Sequence, residues 1–109
     1  MHTVQETESF VKLASRLLSE EELKDTIDTV AANLLAGDLI PGTGGFRKIR
    51  IAREGGGKSG GYRVIYFFHC NNCPIYLIYV FAKNERSNLT DAQKNALKEV
   101  ATAIKNAHR

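Results

Sequence analysis

Phe46-Arg47-Lys48-Ile49-Arg50-Ile51-Ala52-Arg53 alternates between side chains that belong in a core and side chains that belong in water. A period of two is that of a β-strand, whose successive side chains leave opposite faces. Ile49 and Ile51 share one face with Arg47 and Arg53, while Lys48 and Arg50 share the other. If the two isoleucines enter a core, both cations must point to an open face. Glu54 to Gly61 is rich in glycine and reads as a hairpin loop. Residues 62–68 and 75–82, rich in Tyr, Val, Ile and Phe, read as two further strands joined across Cys70 to Pro74. Pairing of the first two strands brings Arg63 beside Lys48 and Arg50.

Outside this block the period lengthens to that of a helix. Phe10, Leu13, Ala14, Leu17 and Leu18 form a stripe over residues 7–18, with Thr7 as its N-cap. Ser19 to Glu22 reads as a capping box opening a second helix. Its apolar face is Leu23, Ile27, Val30, Ala31 and Leu34, and Gly37 is its expected end. His2 to Gln5 reads as an edge strand, and Asp38 to Gly45, with Pro41, Gly42, Gly44 and Gly45, as a loop. Thr90 to Gln93 caps a last helix, expected to bury Leu97, Val100, Ala101 and Ile104. The order β, α, α, β, β, β, α predicts one α+β domain over residues 1–109. An antiparallel sheet would pack one face on helices and leave the other partly open. With 109 residues there is room for one core only.

Charge is unevenly spread. Residues 1–45 carry three Lys/Arg against eight Asp/Glu, net −5, whereas residues 46–63 carry six against Glu54 alone, net +5. Residues 64–109 carry six against three, net +3. An acidic half joined to a concentrated basic block fits a polyanion-facing surface. The plainer reading is a solvated basic hairpin. No apolar run approaches the ~20 residues of a membrane span. The start lacks the layout of a signal peptide, so the cytoplasm is the expected compartment.

Two motifs are set aside. Ala52 to Ser59 fits a relaxed phosphate-loop pattern, but β-rich sequence follows it where the motif requires a helix N-terminus. Lys58 in that loop is left as a contact to a backbone phosphate. Cys70-Asn71-Asn72-Cys73 lacks the second ligand pair that zinc requires, and reads as two reduced thiols in a turn. The basic strand pair carries more chemistry. Lys48, Arg50 and Arg63 within reach of one phosphate would bind it and stabilise the charge that builds on it during a displacement. Neighbouring cations favour a neutral amine, which makes Lys48 the candidate proton acceptor. The glycines flanking the strand would let a bulky ligand approach closely.

At these residues the sequence resembles a known family. Gly42-Thr43-Gly44-Gly45-Phe46-Arg47-Lys48-Ile49-Arg50 and Gly61-Tyr62-Arg63-Val64-Ile65-Tyr66, followed by Lys83-Asn84-Glu85-Arg86-Ser87, look like the RelE/HigB superfamily of bacterial type II toxins. The likeness is greatest to its HigB-like branch and covers residues 38–90. It implies a curved antiparallel sheet with helices on one side, a cognate antitoxin, and cleavage of mRNA in the ribosomal A site. It further implies that a 2′-hydroxyl attacks the neighbouring phosphate, with no metal or cofactor, leaving a 2′,3′-cyclic phosphate and a 5′-hydroxyl.

By the same resemblance, Lys48 matches the family's first active-site lysine. Arg50 stands where RelE has a second lysine, and Arg63 matches the arginine that clamps the phosphate. Asn84 replaces a further arginine beside Lys83, and no tyrosine stands near Thr90 where RelE has one implicated in proton transfer. Lys83 is then the expected substitute cation, and Asn84 a residue that orients substrate but cannot exchange a proton near neutral pH. Arg47, Arg53, Lys58 and Arg86 are expected on rRNA or flanking phosphates. Two alternatives stay open: a fold-mate that inhibits gyrase by binding, as ParE-type toxins do, and a non-catalytic RNA-binding module.

Overall fold

The computed structural model describes residues 3–51, 61–70, 72–82 and 89–107. Along the chain they form β1 (Val4–Glu6), α1 (Glu8–Leu17), α2 (Glu20–Ala32), β2 (Asp38–Leu39), β3 (Arg47–Ile51), β4 (Tyr62–Phe68), β5 (Ile75–Ala82) and α3 (Asp91–Ala107). The helices begin at their capping residues. Thr7 Oγ1 accepts from the Phe10 amide at 3.3 Å and donates to the Leu77 carbonyl at 2.8 Å, which ties the start of α1 to β5. Ser19 with Glu22 closes a reciprocal capping box on α2, and Thr90 with Gln93 closes one on α3. α2 stops at Ala32, short of Gly37. Asn33 caps it, and its side chain accepts from the Leu35 amide at 3.2 Å, a local bond that competes with helix continuation.

The sheet has the order β1-β5-β4-β3-β2. β1 is the expected edge strand, but it runs parallel to β5, while the other pairings are antiparallel. The loop expected from Asp38 begins with a strand instead. Asp38 and Leu39 pair with Lys48 and Arg47 before Pro41, which cannot donate to a ladder, ends the pairing. Among the described residues, no helix is long and apolar enough to cross a membrane.

Two clusters of buried side chains lie on opposite faces of the sheet. Ile49, Ile51, Tyr62, Val64, Tyr66, Leu77 and Val80 pack with Phe10, Ala14 and Val30 of α1 and α2. Phe46, Ile65, Phe67 and Ile78 pack with Leu97 and Ala101 of α3. The α+β class stands, but helices on one face only is corrected: α3 covers part of the other. The reason lies in β4, where Val64-Ile65-Tyr66-Phe67 is apolar without alternation and so needs cover on both sides. Val100, expected in the core, is 40% exposed.

Two side-chain pairings escape a reading of hydrophobic pattern. Cys70 and Cys73 form a disulfide rather than two free thiols. A tight turn, closed by the Cys73 amide on the Cys70 carbonyl at 3.1 Å, holds their Cα atoms 5.0 Å apart, within disulfide range. Thr26 is fully buried on α2, with its hydroxyl 2.6 Å from that of Tyr62 and bonded to the Glu22 carbonyl at 2.8 Å. Replacing Thr26 by Val keeps the shape and removes both bonds. The expected cost is about 1–3 kcal/mol, because the short buried bond to the Tyr62 hydroxyl is lost. Urea unfolding of Thr26→Val measures it.

Candidate functional site

The open part of the α3-side face is built by the β3–β4 ladder. Arg50 and Arg63 are register partners, and Lys48 pairs with Ile65 one step of the same face away. Directly opposed residues share a face. The alternation that sends Ile49 and Ile51 into the α1–α2 core therefore lifts Lys48 and Arg50 beside Arg63. Two adjoining cavities receive these side chains. One, of about 570 Å³, is lined by Ala36, Asp38, Lys48, Ile49, Arg50 and Arg63. The other, of about 240 Å³, also takes in Lys48, Arg63 and Asp38. Lys48 and Arg63 are half-buried, while Arg50 is exposed.

Arg47 does not join them. It lies on the opposite face and donates from Nη1 to the Gly37 carbonyl at 2.7 Å. Tyr66 braces the same turn. Its hydroxyl donates to the Leu34 carbonyl at 2.8 Å and accepts from the Gly37 amide at 3.0 Å. Burial pushes the Tyr66 hydroxyl above its ordinary pKa, outweighing the Gly37 bond and the nearby Arg47 charge, so it stays protonated as the donor this bond needs. Together they fix the turn that presents Asp38. Tyr66→Phe leaves a buried amide and a carbonyl without this partner. It is expected to lower stability by about 1–3 kcal/mol in denaturant titration.

Two residues of the site were absent from the sequence reading. Lys94, on α3, lines the smaller cavity with Lys48 and Arg63. Its stem passes near Gly42, where an added Cβ would lie 3.8 Å from Lys94 Cδ. The signal was available: Lys94 stands three residues before Leu97 and seven before Ala101, at the head of the stripe that α3 buries. Asp38 lines both cavities, and no pattern distinguished it from other surface carboxylates.

The glycines also serve a purpose other than ligand approach. Gly42, Gly44 and Gly45 have φ of 80°, 79° and 124°, a region side-chain-bearing residues avoid. A Cβ on Gly44 would meet Ala101 Cβ at 3.1 Å, and Lys105 Nζ donates to the Gly44 carbonyl at 3.0 Å. The loop is where α3 docks, and α3 in turn carries Lys94 to the cavity. Arg53, Lys58, Lys83, Asn84 and Arg86 lie outside the described residues, as does the relaxed phosphate-loop stretch from Ala52 to Ser59.

A family model described as "RelE toxin of RelE / RelB toxin-antitoxin system" matches residues 2–109. The chain belongs to the RelE toxin family. As a RelE toxin it is one half of a toxin–antitoxin system, and membership implies a cognate antitoxin protein. The match spans both terminal helical regions as well as residues 38–90, on which the resemblance rested. In this RelE toxin Lys48, Arg50 and Arg63 come together at one end of the sheet face, with Lys94 brought in from the C-terminal helix.

Proposed function

We propose that this RelE toxin is a ribosome-dependent mRNA endoribonuclease of the HigB-like branch that arrests translation. The observation that carries the reading is the Arg50–Arg63 pair. Like charges directly opposite in a ladder destabilise a sheet, and here a half-buried lysine stands on the same face. An anion shared among the three relieves that repulsion, and an RNA phosphate supplies it.

In the proposed reaction the 2′-oxygen attacks the adjacent phosphorus and the bond to the 5′-oxygen breaks. The leaving 5′-oxygen takes a proton from solvent, so the products are a 2′,3′-cyclic phosphate and a 5′-hydroxyl. Lys48 takes up the 2′-hydroxyl proton or neutralises the attacking oxygen. Arg50 and Arg63 hold the non-bridging oxygens, whose charge grows in the transition state. Lys94 faces the same phosphate from α3, a fourth cation where Lys83 had been expected to serve. Lys83 and Asn84 keep their assignment as substrate-positioning residues, and Arg53, Lys58 and Arg86 theirs as contacts to rRNA or flanking phosphates. Arg47 is better read as a brace of the Gly37 turn. The net charge of +5 over residues 46–63 suits docking on a charged particle such as the ribosome. The chemistry is assigned to side chains, with no metal or cofactor.

Translation in vitro with mapping of mRNA ends tests this. The expected result is arrest with new 5′-hydroxyl ends inside A-site codons. Intact mRNA together with inhibited DNA supercoiling would instead establish the gyrase-type reading. Intact mRNA, unaffected growth on over-expression and salt-sensitive RNA affinity would establish a binding module.

A further inference from the structure

Phosphate chemistry accounts for only part of the smaller cavity. Ile40, Ile65, Phe81 and Leu89 contribute apolar wall, while Lys48, Arg63 and Lys94 contribute charge. A phosphate gains nothing from an apolar wall, and a carboxylate among its cations weakens its binding. Yet Asp38 lines this cavity. Asp38 and Lys48 are ladder partners on one face, but among the described residues no ion pair joins them. The carboxylate is therefore not locked to its ladder partner and can accept hydrogen bonds from a ligand. Its position asks for a ligand with hydrogen-bond donors beside an apolar ring and an adjoining phosphate.

We propose that this cavity is the subsite for one unstacked nucleobase of the substrate RNA, and that Asp38 selects guanine there. The proposal rests on the cleavage reading above and deepens it. At about 240 Å³ the cavity falls below the ~300–1,000 Å³ of pockets for drug-sized ligands, which suits a single ring system. Proteins that read single-stranded RNA splay a base onto an aromatic face and bond its Watson–Crick edge. Phe81 supplies such a face. It stacks against Tyr79 on the same side of the sheet, with ring centroids 5.6 Å apart and planes at 28°, which limits its freedom. An ionised carboxylate offers two acceptors and no donor. Guanine alone among the four bases presents two adjacent donors, N1–H and N2–H, on its Watson–Crick edge. Adenine and cytosine place an acceptor beside their amino group, and uracil flanks its one N–H with two acceptors. Each of these turns a lone pair toward Asp38.

The test uses wild-type protein and Asp38→Asn on programmed ribosomes whose A-site codon carries one guanine, at each position in turn, among uridines. A matched set replaces that guanine by inosine, which lacks only the N2 amino group. At one codon position the wild type is expected to cleave the guanine message about ten-fold faster than its inosine counterpart, the loss of one hydrogen bond to a charged group. In Asp38→Asn the ratio falls toward one, because the amide places a donor against guanine's donors. Asp38 is exposed on a two-residue edge strand, so its unfolding midpoint should match the wild type. Equal wild-type rates on guanine and inosine overturn the proposal while leaving the cleavage reading intact. So does an Asp38→Asn defect of the same size on both messages, which would make Asp38 a participant in the chemistry. Absence of cleavage by the wild type on every message overturns the cleavage reading, and this inference with it.

Discussion

Arg63→Ala is expected to lower single-turnover mRNA cleavage about 10²–10³-fold, the usual loss when one preorganised donor to a developing anion is removed. Arg63 faces Arg50 directly across the β3–β4 ladder, and directly opposed like charges disfavour a sheet, where a cross-strand pair contributes about 0.2–1 kcal/mol. Truncating one arginine removes that repulsion together with Arg63's own bonding, so cleavage rather than the thermal midpoint decides its role. Arg63→Lys refines the assignment. It retains the charge but loses the planar fork that engages two phosphate oxygens together, and should recover only part of the rate. If Arg63→Ala cleaves mRNA at the wild-type rate, the phosphate role proposed for this end of the sheet is wrong.

Much of this site was legible because its geometry is local. The strict alternation from Arg47 to Ile51 places Lys48 and Arg50 on one face whatever packs behind them, and a hairpin across the glycine-rich stretch brings in Arg63. The three N-terminal caps were legible for the same reason, since each joins residues three apart. Features that depend on distant partners were read less well. The apolar run of β4 calls for cover on both faces, but the alternation of β3 led to one open face, so α3 was placed with the other helices. Lys94 was missed as a consequence. Once α3 crosses to the basic face, a lysine on its buried stripe is a site residue. Thr26 was missed because a threonine among Leu23, Ile27 and Val30 reads as an interruption of a stripe. Its partner, Tyr62, lies thirty-six residues away.

Gly44→Val is expected to produce the largest structural effect, and it separates two roles that glycines near a binding face can have. If Gly44 served to let a ligand approach, a valine would impair substrate binding and leave the free protein as stable as before. The packing predicts otherwise. Gly44 has φ of 79°, where an L side chain loses roughly 1–2 kcal/mol. Its Cβ would also fall 3.1 Å from Ala101 Cβ and 3.7 Å from the Lys98 backbone, and overpacking of this kind adds about 1–3 kcal/mol. Ala101 is fully buried on a helix, so it has little room to give. The free protein should therefore lose stability in denaturant titration, and α3 should loosen from the sheet. Cleavage should fall further than global stability, because Lys94 reaches the cavity only while α3 stays docked. Gly42→Ala is the matched control. Its φ of 80° imposes similar strain, but its Cβ would meet only Lys94 Cδ, at an ordinary 3.8 Å. A Gly44→Val protein as stable as Gly42→Ala would mean that α3 does not depend on this contact, and the route from the glycine loop through α3 to Lys94 would have to be abandoned.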